Sequence, residues 1–481
     1  LNKPPLYNWI MLAFYDLFGF TEWATRLPAM MSLIGMSVLM YWGFKPEVGK
    51  KQALAAAFLY ITFGRMVYYS SHLGHIDPFY SDLVFFNFIF IYRSFQDNKY
   101  LQLFLGSYFI MALAFLMKGL PTLAFQAFTL LALFINGKQF MKLLGWKHIL
   151  GILLFSGILG GYFYLYFQDG VTPIRYWENL LDQNVTRTAV AKSTWTTIKH
   201  VFYFPIDQMY LFTPWFTLAP FLFQKKLWRD MWRQPFLRYT LLVIAVNLPL
   251  YWLSPDNRPR YLFMLYPFIF LWMVRGYFLF AEKMKFFRIA AHVLWIIFPM
   301  VLGIGIWYAT TLEALAPVSN LYWKVAVLSA GWIALAIAAI RTKEHLRLAN
   351  RFFIMVSVLL VFKLAVQWIV LPYRYYEDET VYYKTAAQKV GEITRGSDLY
   401  LLEGSPYNHS MTWYTSLERN EPIQYILPEE FREFAPNSPE YFILSENQRE
   451  EWPDSEVLYS FRVPYRDMPT LLMRSGGSGE E

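Results

Sequence analysis

The chain contains no cysteine. That excludes disulfide frameworks, thiolate metal sites and cysteine nucleophiles. Charge is scarce as well: Asp, Glu, Lys and Arg make up 16% of the 481 residues, against about a quarter in an ordinary soluble chain. Internal repeats are missing, and with them the inverted halves from which many transporters are built. What is abundant is apolar. Hydrophobic residues reach 56% and aromatics 20%, with 44 Phe, 35 Tyr and 18 Trp. Phe suits a lipid-facing surface, whereas Tyr and Trp favour the headgroup zone, having one apolar and one wet end. This composition is that of a polytopic membrane protein.

A membrane span takes roughly 20 apolar residues. The apolar runs predict spans near 26–43, 52–70, 79–93, 101–117, 120–136, 148–167, 207–223, 239–253, 261–281, 289–310, 322–340 and 352–371. Cations fall in alternate loops. One set carries Lys45, Lys50 and Lys51; Arg93 and Lys99; Lys138, Lys142 and Lys147; the 225–238 cluster; 283–288; and 341–351. The positive-inside rule makes this set cytoplasmic. The net charge of +8 is therefore a topology signal, with no nucleic-acid partner implied. Segments 71–78, 118–119, 168–206, 254–260, 311–321 and everything after Pro372 are then expected outside. Residues 5–18 are apolar, but a crossing there would put Lys3 in the cytoplasm. A juxtamembrane helix lying at the outer interface is expected instead. Loop 168–206 is long, amphipathic and rich in aromatic and basic residues, as a lid would be.

The expected fold class is an all-α polytopic membrane domain, about 12 spans with one more upstream, followed by a small extracytoplasmic α/β domain. The membrane domain covers 1–372, the soluble domain 373–474 and a flexible Gly/Ser tail 475–481. Because the chain opens on Leu1 rather than Met, it reads as a piece that lacks an N-terminal portion. In 373–474 apolar runs are short, and the pattern predicts helices near 379–393, 407–417 and 428–433 with strands between and after them.

Polar residues on the expected outer side are few and clustered. Asn2-Lys3-Pro4-Pro5 sets a lysine before two helix-opening prolines, either as a snorkelling anchor or as a point charge for a phosphate. His72-Leu73-Gly74-His75-Ile76-Asp77-Pro78 joins two spans. There Asp77 is either the cap of a helix starting at Pro78 or a base or metal ligand, and the two histidines do not match a known zinc spacing. Asp256-Asn257-Arg258-Pro259-Arg260-Tyr261 places two guanidinium forks where the charge rule forbids them. The alternatives are an ion pair with Asp256 or a phosphate site. Lys118-Gly119 closes a hairpin, and Lys363 sits unassigned inside the last span. Carboxylate and cations gathered at one membrane face suit a substrate with a phosphate head and a lipid tail.

The succession Lys3-Pro4-Pro5-Leu6, Arg26-Leu27-Pro28, Asp77-Pro78, Lys118-Gly119 and Arg260-Tyr261 with Pro267 resembles the polyprenyl-phosphate-dependent glycosyltransferases of the C-type membrane fold. The nearest in pattern are the bacterial aminoarabinose lipid A transferases and the protein O-mannosyltransferase superfamily. The resemblance implies an enzyme of the bacterial inner membrane with its C-terminal domain in the periplasm. It implies a sugar donor linked to undecaprenyl phosphate and a lipid, glycan or protein acceptor, as in lipid A modification or protein glycosylation. Asp77 matches the acidic residue of the second outer loop and is the catalytic residue assigned here, while the resemblance implies that the principal base belongs to a first outer loop expected ahead of Leu1. Lys3 matches the lysine that holds the carrier phosphate. Asn2, His75, Lys118, Arg258, Arg260 and Tyr261 complete the expected substrate site. The position before the Lys-Pro pair carries Asn2 where the lipid A enzymes carry Glu. No metal ligand is assigned, and a divalent metal stays open as a cofactor. The competing functions are a transporter or flippase of lipid-linked sugars, whose polar groups belong near the midplane, and a non-catalytic membrane scaffold.

Overall fold

The computed structural model describes residues 4–169, 193–341, 347–373, 379–434, 440–463 and 466–475. It divides into two compact units, one formed by 1–308 and 325–365, the other by 309–324 and 366–481.

The first unit is helical. Its elements are α1 (Leu6–Phe18), α2 (Glu22–Val48), α3 (Lys50–Thr62), the short α4 (Gly64–Tyr68), α5 (Ile76–Gln96), α6 (Tyr100–Lys118), α7 (Pro121–Asn136), α8 (Trp146–Tyr166), α9 (Thr194–Leu211), α10 (Lys225–Arg233), α11 (Pro235–Asn247), α12 (Tyr266–Phe280) and α13 (Lys285–Tyr308). Helix α14 (Leu321–Arg341) is followed by α15 (Arg347–Ala365). Among the described residues, six stretches are long and apolar enough to cross a membrane: 22–48, 100–118, 146–166, 285–311, 321–338 and 352–373. The dozen spans expected from apolar runs thus include shorter or broken helices. The run 207–223 is one such correction. It contains the end of α9, a cis Thr213–Pro214 bond and a 3₁₀ segment Trp215–Phe223 with Pro220 inside it. Each proline removes a backbone donor, so no continuous α-helix forms there. The expected loop 168–206 is likewise helical from Thr194 onward, and 170–192 lies outside the described residues.

Local chemistry sets the helix ends. Thr21 caps α2 by accepting from the Ala24 N–H at 3.3 Å. Gly49, at φ 80°, turns the chain from α2 into α3. Gly119, at φ 87°, ends α6 directly after Lys118, and Pro121 starts α7. The core is dominated by aromatics in edge and tilted contacts, including Phe44, Phe63, Phe85, Phe268 and Trp215, each fully buried.

The second unit contains a five-stranded mixed sheet of β1 (Leu399–Leu402), β2 (Gln424–Ile426), β3 (Tyr441–Ser445), β4 (Glu456–Val463) and β5 (Arg466–Arg474), in the order β2-β1-β3-β5-β4. Strand β1 runs parallel to β2 and β3, and β5 runs antiparallel to β3 and β4. The period of two is visible in β1. Leu399 and Leu401 face a core that includes Ala386, Ala387 and Met411, while Tyr400 and Leu402 face one built on Phe431 and Trp452. Helices Glu379–Ile393 and His409–Arg419 therefore cover one face, and Pro428–Phe434 the other.

Candidate functional site

The site grows from the junction of four elements of the helical unit. Helix α5 begins at Ile76, with His75 as its N-cap residue and no side-chain cap bond. Asp77 therefore lies in the first turn, and the capping role weighed for it is not what its side chain does. Its carboxylate is 2% exposed. Oδ1 accepts from Lys118 Nζ at 2.6 Å, and Oδ2 lies 2.9 Å from Arg260 Nε. The Arg260 contact is electrostatic, because Nε stands off the line of a proper hydrogen bond. Arg260 Nη1 meets His75 Nε2 at 2.9 Å. Residues 41 and 183 positions from Asp77 thus converge on one carboxylate.

Aromatic walls enclose the charges. Lys118 Nζ sits 4.1 Å from the ring centre of Tyr261 and 4.9 Å from that of Tyr80, which stabilises an ammonium that has lost water. Tyr80 stands one helical turn after Asp77 and hydrogen-bonds Thr122 at 3.1 Å. Tyr7 of α1 donates to the His75 carbonyl at 3.3 Å, tying the juxtamembrane helix to the site. Burial, with Tyr15 and Asp77 nearby, pushes the Tyr7 phenol up, so it stays a donor at any working pH.

The side chains of Lys118 and Arg260 are only 9% and 18% exposed. Two cations against one carboxylate leave one net positive charge in this cluster. Buried ions demand such pairing. Among the residues expected from sequence, Asp77, His75, Lys118, Arg260 and Tyr261 are brought together. Arg258 is exposed at the rim, its carbonyl accepting from the Tyr261 N–H. Arg260 takes its carboxylate from Asp77 rather than from Asp256. Asn2 and Lys3 lie outside the described residues. Among the described residues no group of three His, Asp or Glu could hold a metal ion. Sequence reasoning missed Tyr7 and Tyr80. The one signal available was the i, i+3 spacing of Asp77 and Tyr80 on one helix face.

The geometry alters the expectation for Asp77. Both of its oxygens are engaged by cations, so accepting a proton from an incoming hydroxyl would compete with an ion pair. The arrangement can hold two cations in fixed directions and present excess positive charge to an anion.

Residues 2–159 match the family described as dolichyl-phosphate-mannose-protein mannosyltransferase. The fold is similar to that of ArnT from Cupriavidus metallidurans bound to undecaprenyl phosphate, with a TM-score of 0.66 at 15% identity over 100% of this chain and 89% of that one. The apo state of the same protein gives 0.62 at 16% identity, again over 100% and 89%. No curated protein sequence matches the chain. The motif resemblance and the comparisons point the same way: the family match covers residues 2–159, and the likeness to ArnT is one of fold.

Proposed function

We propose that the chain moves a sugar from a polyprenyl-phosphate carrier, of the undecaprenyl-phosphate type, to a lipid, glycan or protein acceptor at the outer face of a bacterial inner membrane. The Asp77–Lys118–Arg260 cluster carries this reading: a net positive, aromatic-walled site at one end of a membrane helix bundle. The superfamily likeness supports it. In a single displacement the acceptor hydroxyl bonds to the anomeric carbon as the bond to the carrier phosphate breaks, the centre inverts, negative charge grows on the departing phosphate, and that phosphate takes up the proton the hydroxyl loses. Cations already fixed in place stabilise that charge without reorganising. Lys118 and Arg260 are assigned this role, with Arg258 at the rim and Lys3 as a further phosphate contact by family likeness. Tyr261 keeps water from Lys118, and His75 steadies the Arg260 fork. Asp77 contributes to catalysis chiefly through the two cations it directs. The C-terminal α/β domain stands in the periplasm on this reading.

The test uses the full chain in nanodiscs with a panel of sugars linked to undecaprenyl phosphate. Saturable binding of undecaprenyl phosphate is expected, together with transfer or slow hydrolysis from at least one donor. Arg260→Ala and Lys118→Ala should each lower turnover on the order of a hundredfold, as lost transition-state donors do. If no donor is turned over and undecaprenyl phosphate does not bind, the proposal fails.

A further inference from the structure

The Asp77 cluster does not use all the buried nitrogen at this end of the helical unit. Arg65 is the second residue of α4, and its guanidinium lies over the Tyr69 ring at 4.0 Å. Its Nε is buried with no partner, and among the described residues no carboxylate pairs with it. The charged neighbour within its electrostatic reach is another cation, Arg260. His72 follows in the next turn. Its ring lies beside the backbone of Val67, and its Nε2 is buried without a partner. Lys363 reaches the same place from α15, which packs against α3 and α4. It is half-buried, close enough to act on His72, and has no acceptor among the described residues. Burial, then the positive charges of Lys363 and Arg26, hold the His72 imidazole below its usual range. Arg26 differs from the other three in being paired, with Glu22 at 3.1 Å.

Buried guanidinium and ammonium groups without acceptors are costly, and like charges brought together raise that cost. A fold that keeps a guanidinium, an ammonium and an unpartnered imidazole at one end of the bundle is balanced by an anion among them. A planar fork, a mobile ammonium and an imidazole that takes up a proton at Nε2 when an anion arrives together match the oxygens of a tetrahedral oxyanion. We propose that Arg65, His72 and Lys363 form a second anion pocket, beside the Asp77 cluster, that takes a phosphate group. Such a group can come from a lipid headgroup or from phosphate in solution. The inference rests on these unpaired nitrogens, and its test reads binding alone, so it stands or falls separately from sugar transfer.

The full chain, with its seven histidines labelled with ¹⁵N, is placed in nanodiscs at fixed pH, and the His72 imidazole signal is assigned by its loss in His72→Gln. One arm titrates inorganic phosphate into neutral phosphatidylcholine discs. The other compares those discs with discs containing phosphatidic acid. A saturable shift of the His72 signal in the first arm identifies a soluble phosphate, and a shift in the second identifies a lipid headgroup. In either case Arg65→Gln and Lys363→Met should weaken the response on the order of tenfold, the loss expected for one charge-assisted hydrogen bond. Arg26→Gln, which removes a cation already paired, should leave it nearly unchanged. If Arg65→Gln does not fold, Arg65→Lys keeps the charge but removes the fork, and the same weakening is expected. No His72 shift in either arm, or a shift indifferent to the Arg65 and Lys363 variants, overturns the pocket.

Discussion

Asp77 shows how much one buried side chain can determine. It pairs with Lys118 through one oxygen and with Arg260 through the other, 2.6 and 2.9 Å away. Asp77→Asn preserves shape but leaves two poorly hydrated cations facing each other. Breaking a buried pair in this way costs about 3–5 kcal/mol. A clear drop in melting temperature in detergent is expected, partly recovered when Lys118→Met removes one of the stranded charges. An Asp77→Asn protein that melts like the parent would show that the carboxylate does not organise the cluster. The residues of this cluster were legible in the sequence because each is a polar exception among apolar neighbours: Asp77 and His75 in a short loop, Lys118 before a glycine, Arg260 where cations are not expected. The partners that enclose them were not legible. Tyr80 and Tyr7 are lost among 35 tyrosines, and Arg65 sits inside an apolar run where a snorkelling arginine looks the same. The pairing of Asp77 with Arg260 was also hidden, because Asp256 is the nearer carboxylate in sequence but not in space.

Helix contacts in this protein are set by where glycine permits close approach. In α8, a Cβ on Gly151 would fall 2.7 Å from Tyr108 Cδ2 and 3.0 Å from the Phe104 carbonyl of α6. The ring could swing away, but the backbone oxygen of a packed helix cannot. Gly151→Ala should therefore push α8 off α6 and destabilise the fold by about 1–3 kcal/mol, as overpacking does. Gly157, two turns further along α8, has nothing within 4 Å of its Cβ position. Gly157→Ala should be neutral or stabilising by up to about 1 kcal/mol through helix propensity. Thermal unfolding of the two variants side by side checks the contact, and equal shifts would mean that α8 is not held there. The regular helices could be read from apolar runs because the bilayer and the helix both select for apolar length. Helix continuity could not be read in that way. Hydropathy over 207–223 is uninterrupted, yet Pro214 and Pro220 break the α-helical ladder. Conversely, Thr194–Leu211 carries exposed Trp195, Ile198, Phe202, Ile206 and Tyr210 at helical spacing. That amphipathic stripe suits a helix lying along a membrane interface, and its polar face disguised it as loop.

The whole molecule is organised by the alternation of charge between its loops. Lys50 and Lys51 are exposed at the start of α3, and Lys225, Lys226, Arg229 and Arg233 fall on the short α10. The expected opposite side holds the loop before Asp77, the hairpin after Lys118 and the turn carrying Arg258. The structure brings those last three segments together through Asp77, so a single orientation carries the entire charged cluster with it. On the proposed function, orientation decides which side of the membrane supplies the acceptor. With no cysteine in the chain, single introduced thiols report it without background. Lys51→Cys and Ser410→Cys both replace exposed residues, one at the start of α3 and one in the helix that begins at His409. In intact cells, a membrane-impermeant maleimide should label Ser410→Cys at once and Lys51→Cys only after permeabilisation. The positive-inside bias requires this order, since moving so many lysines and arginines outward opposes the signal that sets topology. The reverse labelling would turn the cluster toward the cytoplasm, and a lipid-linked sugar would then have to be used before it crossed the membrane. Equal labelling of both thiols in intact cells would mean that the chain inserts in both directions, and the charge alternation would no longer count as a topology signal.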